Sequence, residues 1–232
     1  MKHRRTLWFL TLSAIVITGN WLVYIFAVQL EQINQASLGY YINPLLFAVA
    51  GVLIFGEKLR KAQTAAVILA AIGVMYLTIR GGEFPKIAVF LGSAFVIYGI
   101  IRKQVVIGGM PGLFIETLVL FPFALGYLVW IMFTGEAAFS LNDPMLSGVL
   151  LLAGPLTVIP LLFFALAARR LNLTTIGMMQ FIAPTLQFAI AVIFGEELTA
   201  AHIVCFTLIW LAVILFSVDA WRASRILARV NP

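Results

Sequence analysis

The stretch Phe55-Gly56-Glu57-Lys58-Leu59 occurs a second time in the chain, as Phe194-Gly195-Glu196-Glu197-Leu198. Each copy ends a long apolar segment that contains a proline about three helical turns before the glycine, Pro44 in the first and Pro184 in the second. The shared pattern predicts an internal repeat. The glutamates that follow the glycines are expected to be cap or loop residues that mark the repeat.

The charges that follow the two copies differ, and the difference predicts their orientation. Lys58, Arg60 and Lys61 lie at the end of the first copy, whereas no lysine or arginine follows the second until Arg222. Basic residues that flank membrane spans stay on the cytoplasmic side, so the first copy is expected to end inside and the second outside. Inverted repeats with proline-interrupted spans are typical of secondary transporters.

The composition places the chain among helical membrane proteins. Of its 232 residues, 63% are apolar and 10% are charged, and the mean hydropathy is +1.09. Soluble domains contain about 25% charged residues. The net charge of +6 comes from basic residues scattered between apolar segments, so it predicts orientation in a bilayer and no nucleic-acid partner. One cysteine, Cys205, excludes an intrachain disulfide.

A bilayer-crossing helix needs about 20 apolar residues. We identify eight such segments, at residues 7–28, 36–55, 62–79, 86–101, 112–133, 146–167, 174–194 and 202–220. The fourth is short and is expected to extend over 84–102. The basic N-terminus followed by apolar residues also fits a signal peptide, but the apolar stretch continues to Val28, so we favour a retained helix. The expected fold class is an all-α polytopic membrane protein with eight transmembrane helices.

The distribution of basic residues predicts a cytoplasmic N-terminus and a cytoplasmic C-terminus in the inner membrane. With this orientation, every lysine and arginine except Arg80 and Lys86 lies on the cytoplasmic side.

Alignment of the two repeat copies predicts a five-helix unit, which must be inverted between copies because five is odd. Residues 1–80 form a partial first repeat of three helices, residues 84–222 a complete second repeat, and residues 223–232 a cytoplasmic tail. The missing first pair of helices has two explanations. The chain is a truncated or mis-started version of a ten-helix protein, or another chain supplies the pair in trans.

Several motifs resemble the RarD branch of the EamA drug/metabolite transporters over essentially the whole chain. They are the runs that begin Gly19-Asn20-Trp21 and Ala36-Ser37-Leu38, the pairs Tyr98-Gly99 and Arg102-Lys103, the triplet Ile115-Glu116-Thr117, and Gln180-Phe181-Ile182-Ala183-Pro184. The resemblance implies two inverted five-helix repeats with both ends cytoplasmic. RarD-type proteins are described as chloramphenicol-sensitive permeases.

The sequence contains no catalytic motif, no phosphate-binding loop and no metal-ligand spacing. We therefore expect no enzyme activity and no cofactor. One functional hypothesis is a secondary transporter that exports small amphipathic organic molecules by alternating access. The alternative is a truncated, non-transporting membrane protein or accessory subunit that needs a partner to complete its cavity. The expected partners are a small-molecule substrate and the bilayer, with a homo-oligomer or helices in trans left open.

Polar side chains inside the spans are candidates for substrate binding, because polar groups in hydrocarbon are costly unless they face a cavity or a partner helix. The candidates are Asn20, Tyr24, Tyr40, Asn43, Tyr98, Gln180 and Gln187. Gln180 and Gln187 are predicted on one helical face with Pro184, and Gln180 is expected to have no obligate protein partner. The alternatives are hydrogen bonds of the glutamines to neighbouring helices, and a role of Tyr40 as an anchor at the membrane interface.

Glu116 is the carboxylate that lies most clearly within a span, near the cytoplasmic face, and Arg102 ends the preceding helix on that side. The first interpretation is a structural Glu116–Arg102 ion pair. The second is a carboxylate that takes up and releases a proton during transport.

Overall fold

The computed structural model describes residues 2–80, 84–135, 137–139, 143–193 and 199–230. This part of the chain is helical apart from short connections. Its helices are α1 (Lys2–Gln29), α2 (Ile33–Phe55), α3 (Lys61–Arg80), α4 (Lys86–Gln104), α5 (Gly109–Thr134), α6 (Pro144–Arg170), α7 (Leu173–Gln180), α8 (Ile182–Ile193) and α9 (Ala200–Val230). Within these residues, eight segments are long and apolar enough to cross a membrane, which confirms the predicted all-α class and number of spans.

The seventh span is divided into α7 and α8, although the sequence predicted one helix over 174–194. The break lies at Phe181. Pro184 has no N–H to donate to the carbonyl of Gln180, which weakens the helix at this turn, as Pro44 does within the continuous α2. The α7–α8 pair is therefore an interrupted helix in the middle of a span.

The first copy of the repeated motif forms the C-terminal cap of α2. Gly56 adopts the left-handed conformation, with φ 63°, and its N–H donates to Gly51 O. A glycine adopts this conformation without the strain that a Cβ would add, which accounts for a glycine at this position. The second copy, 194–198, lies outside the described residues, so the predicted opposite orientation of the two copies stays a prediction.

The helices group into two compact units. Unit 1 contains the described residues of Met1–Thr18 and Ile97–Arg170, and unit 2 contains those of Gly19–Val96 and Leu171–Pro232. Each unit takes segments from both predicted repeats, 1–80 and 84–222. The division into repeats with a tail at 223–232 stays a prediction.

In unit 2, the core lies largely between α3 and α9. Ala66 and Ala70 of α3 are fully buried, as are Cys205, Ile209 and Ala212 of α9. Small side chains let two helices approach closely, which is how helices associate in a membrane. In unit 1, a smaller core is formed by Leu10, Ile101 and Val105.

Large apolar side chains remain exposed along the spans. On α5, Phe123 is 75% and Phe133 is 87% exposed. Such an exposed surface is unusual for a soluble protein but is expected where hydrocarbon replaces water as the solvent. The chain is therefore an integral membrane protein.

Candidate functional site

In unit 2, α7 lies against the C-terminal half of α2. A Cβ built on Gly177 would lie 2.5 Å from Pro44 O and 2.9 Å from Phe47 Cβ. Only a residue without a side chain allows the two backbones to come so close. This contact fixes the position of α7 beside Pro44, one residue beyond Asn43.

The end of α7 brings Gln180 to Asn43. Asn43 Nδ2 donates a hydrogen bond of 2.5 Å to Gln180 Oε1. The expectation that Gln180 has no protein partner is therefore wrong, since the interruption of the helix brings its side chain to α2. The bond uses the donor group of the Asn43 amide and the acceptor of the Gln180 amide. Asn43 Oδ1 and Gln180 Nε2 are buried and have no hydrogen-bond partner among the described residues.

The pair leaves one donor and one acceptor unpaired whichever way the two amides are oriented. If both side chains were rotated by 180°, Gln180 Nε2 would donate to Asn43 Oδ1, and Asn43 Nδ2 and Gln180 Oε1 would be left over. Each side-chain amide carries both a donor group and an acceptor. A molecule that binds here must supply a complementary acceptor and donor.

Tyr40 of α2 lies near this pair, and Tyr24 of α1 contacts Tyr40. Tyr40 precedes Asn43 by about one turn on α2, and residues three apart share a helical face. The rings of Tyr40 and Tyr24 meet edge to face, with centroids 6.2 Å apart, and Trp21 lies 6.1 Å from Tyr24 in the same way. The structure thus brings together two tyrosines that the sequence predicted as candidates for substrate binding, and their role in binding stays a prediction.

Asn20 and Gln187 do not join the amide pair. Asn20 Nδ2 donates 2.7 Å to Leu91 O and so links α1 to α4. Gln187 is exposed on α8, beyond the break at Phe181. The continuous helical face predicted for Gln180 and Gln187 is therefore interrupted.

Unit 1 contains a separate buried cluster around Glu116. Ser13 Oγ donates 2.7 Å to Glu116 Oε1, Tyr98 Oη donates 3.4 Å to Oε2, and Arg102 Nη1 lies 3.4 Å from Oε1. Glu116 is 2% and Arg102 is 1% exposed. Arg102 Nη2 also donates 2.8 Å to Gly109 O. A carboxylate with three donors, one of them a cation, is well compensated despite its burial.

Tyr98 belongs to this charged cluster, although the sequence grouped it with the substrate residues. Its ring is fully buried and stacks on Phe164, with centroids 5.8 Å apart. The ion pair that the sequence predicted between Arg102 and Glu116 is present. A role of Tyr98 in substrate binding or of Glu116 in proton coupling stays a prediction.

Sequence reasoning missed two polar residues with specific partners. Ser13 was not singled out, although a hydroxyl inside a long apolar helix is a signal for a buried partner. Glu57 was interpreted only as a cap or loop residue that marks the repeat. Its carboxylate accepts hydrogen bonds from the start of α7, at Leu173 N and at Thr174 N and Oγ1.

Unit 2 also has an apolar cavity of about 310 Å³ between α7–α8 and α9. Its lining includes Thr175, Met178, Ile182 and Phe216, and none of the predicted substrate residues. An apolar groove on lipid-exposed helices needs no specific ligand, whereas buried unpaired amides do, so the amide pair is the stronger candidate. Among the described residues, no three His, Cys, Asp or Glu side chains are grouped closely enough to hold a metal ion.

Comparisons with known proteins agree with this architecture. Residues 1–79 match the EamA-like transporter family. An uncharacterized transporter of Vibrio cholerae is 42% identical over 98% of this chain and 76% of its own length. The protein RarD of Escherichia coli is 42% identical over 93% of this chain and 73% of its own length.

A solved crystal structure has the same fold. It superposes with a TM-score of 0.66 at 19% identity and covers 91% of this chain and 76% of that chain. The identity to relatives over most of their length shows the family of this protein. The chain belongs to the RarD branch of the EamA-like transporter family.

Proposed function

We propose that this membrane protein is a secondary transporter that exports small amphipathic organic molecules across the cytoplasmic membrane by alternating access. Its relatives are named transporters, and its sequence contains no motif for ATP binding or catalysis. A gradient is then the energy source that remains for net transport.

The proposal is carried by the half-satisfied amide pair of Asn43 and Gln180. A buried polar group without a partner costs free energy, about 1–3 kcal/mol for each atom. The unpaired Asn43 Oδ1 and Gln180 Nε2 lie within membrane spans, where water is scarce. A substrate that pairs with both atoms would recover this cost, which is a physical basis for binding at this point.

The chemistry of the pair suggests an uncharged polar group on the substrate. Two amides offer a donor and an acceptor but no net charge, so a secondary amide or a similar donor–acceptor group is the natural complement. Tyr40 provides aromatic surface about one helical turn from Asn43, and the ring of Tyr24 contacts that of Tyr40. We therefore propose substrates that combine an amide with an aromatic or apolar body.

The proposed orientation has both termini in the cytoplasm. In unit 2, Glu57 after α2 contacts Leu173 at the start of α7, and Arg60 lies 2.6 Å from Asp219, near the end of the membrane span Ala200–Ala223 of α9. The end of α2, the start of α7 and the end of the last membrane span therefore lie on one side of unit 2. The basic residues near these ends support the cytoplasmic side for all three.

The proposal predicts saturable transport of an amide that depends on its N–H group. We would measure uptake of chloramphenicol, which joins a secondary amide to an aromatic ring, into inside-out membrane vesicles, where uptake corresponds to export. An analogue methylated at the amide nitrogen has lost the donor and is expected to be transported about tenfold less well. Vesicles without the protein are the control. Equal flux with and without the protein for amide-bearing solutes of this type would refute the proposal, and equal flux of both analogues would refute the role of the amide pair.

A further inference from the structure

We propose that Glu57 is a positioning residue, which caps α7 across the chain and thereby sets the place of Gln180 against Asn43. This inference concerns the geometry of the site proposed above and not the identity of its ligand. It gives a local function to the glutamate of the repeated motif.

The contacts of Glu57 replace a missing cap on α7. Asn172 is the N-cap residue of α7, but its side chain makes no capping hydrogen bond. Glu57 Oε1 instead accepts the N–H of Leu173 at 2.6 Å, and Oε2 accepts the N–H and the hydroxyl of Thr174 at 3.0 and 2.8 Å. Free N–H groups at a helix start favour an acceptor, and a negative charge there is favourable with respect to the helix dipole.

The turn at Gly56 directs the carboxylate towards α7. The backbone N–H of Glu57 donates 3.0 Å to Gly51 O, which folds the chain back beside the last turn of α2. A Cβ on Gly51 would lie 2.5 Å from Glu57 Oε2 and 2.8 Å from Thr174 Oγ1. The side chains of Glu57 and Thr174 therefore occupy the space beside a glycine that no other residue type would leave open.

Helix α7 is attached to the α2 segment at both of its ends. Its start is held by Glu57, its middle packs at Gly177 against Pro44, and its end is joined to Asn43 through Gln180. Because α7 has only eight residues, the cap and the amide are about 10 Å apart along its axis. A short helix transmits a shift at one end to the other.

The polar contact of α8 is with a different helix. Trp210 Nε1 of α9 donates 3.1 Å to Thr185 Oγ1, and the rings of Phe188 and Phe206 lie 4.0 Å apart. The regular helix is interrupted between these two attachments, at Phe181. The position of Gln180 therefore depends on how α7 is held to α2, and Glu57 supplies three of the hydrogen bonds that hold it.

The test follows the side-chain amide of Gln180 by NMR in protein labelled with 15N-glutamine and reconstituted in nanodiscs. The signal is assigned by its loss in Gln180→Leu, and Gln187 on α8 is an internal reference. We expect the Gln180 signal to shift or broaden in Glu57→Ala and to change less in Thr174→Val, which removes one of the three bonds. The exposed neighbour Lys58, changed in Lys58→Ala, is the matched control and is expected to leave the signal in place.

An unchanged Gln180 signal in Glu57→Ala would overturn the inference, and so would equal changes at Gln180 and Gln187, which indicate general loosening. If Glu57→Ala does not yield folded protein, Thr174→Val is judged by the same two criteria. None of these readings needs a ligand, so they decide the inference even if transport of chloramphenicol is absent.

Transport by a double variant adds a readout that distinguishes a positioning residue from a merely structural cap. Where chloramphenicol flux is observed, Glu57→Ala is expected to lower it by about twofold to thirtyfold, the range that corresponds to loss of a helix cap. The double variant with Gln180→Leu should be no lower than Gln180→Leu alone, because both changes act on one contact. If the fold-losses of flux in the two single variants multiply in the double variant, Glu57 does not act through Gln180.

Discussion

Loss of one partner from the buried cluster of unit 1 is predicted to destabilise the protein strongly. The perturbation is Glu116→Gln, which keeps the size and one carbonyl oxygen of the side chain but removes its charge. Arg102, only 1% exposed, would then be a buried cation without its counter-ion. Removing one member of a buried ion pair costs about 3–5 kcal/mol in stability.

The geometry places the expected loss at the lower end of this range. The Arg102–Glu116 distance of 3.4 Å is longer than the about 2.7–2.9 Å of a strong charge-assisted bond. Gly109 O continues to accept from Arg102 in the variant. A loss of about 3 kcal/mol corresponds to a fall of about 6–12 °C in the unfolding midpoint for a chain of this size.

The assay is thermal unfolding of purified protein, followed by tryptophan fluorescence, for Glu116→Gln, Glu116→Leu, Arg102→Met and the double variant of Glu116→Leu with Arg102→Met. The double variant should be more stable than Arg102→Met alone, because replacing both charges leaves none unpaired. If the double variant loses the sum of the single losses, the two residues do not act as a pair and the reasoning is refuted.

The variant Glu116→Gln also separates the structural interpretation of Glu116 from the proton-coupling interpretation. If the pair is structural, transport by Glu116→Gln keeps its dependence on pH. Normal folding with complete loss of pH dependence would make Glu116 the coupling group and would contradict the structural interpretation.

Two further predictions concern packing and orientation. Gly177→Ala should lower the free energy of unfolding by about 1–3 kcal/mol, because the new methyl group would lie 2.5 Å from Pro44 O. The control is Gly148→Ala, which has nothing within 4 Å of the new Cβ and should be neutral or slightly stabilising. Equal unfolding midpoints of the two variants would contradict the close packing at Gly177. In intact cells, a cysteine at Thr199 should react with an impermeant thiol reagent, and a cysteine at Lys61 should not. The reverse pattern would overturn the orientation. Native Cys205 is buried and should not react.

The spans could be predicted from the sequence because each is a long apolar segment bounded by polar residues. Hydrocarbon requires every backbone group to bond within its own helix, so length and apolarity alone specify a span. The Arg102–Glu116 pair could also be predicted from the sequence, because a short loop joins the end of α4 to the start of α5.

The break in the seventh span could not be read from the proline. Pro44 lies in the middle of α2, which is continuous, whereas Pro184 accompanies an interruption at Phe181. The two prolines look alike in sequence, so the difference must come from tertiary contacts. In the same way, the Asn43–Gln180 bond joins residues 137 positions apart, and only the close approach at Gly177 brings them together.

Substrate binding by the amide pair is tested most directly by comparing chloramphenicol flux in proteoliposomes with equal amounts of wild type, Gln180→Leu and Gln104→Leu. Gln104 is an exposed glutamine at the end of α4 and serves as the matched control. We expect saturable flux in wild type and Gln104→Leu, and a loss of about tenfold in Gln180→Leu, because the substrate's polar group is left unpaired. Equal flux in all three proteins would contradict the claim that the amide pair binds the substrate.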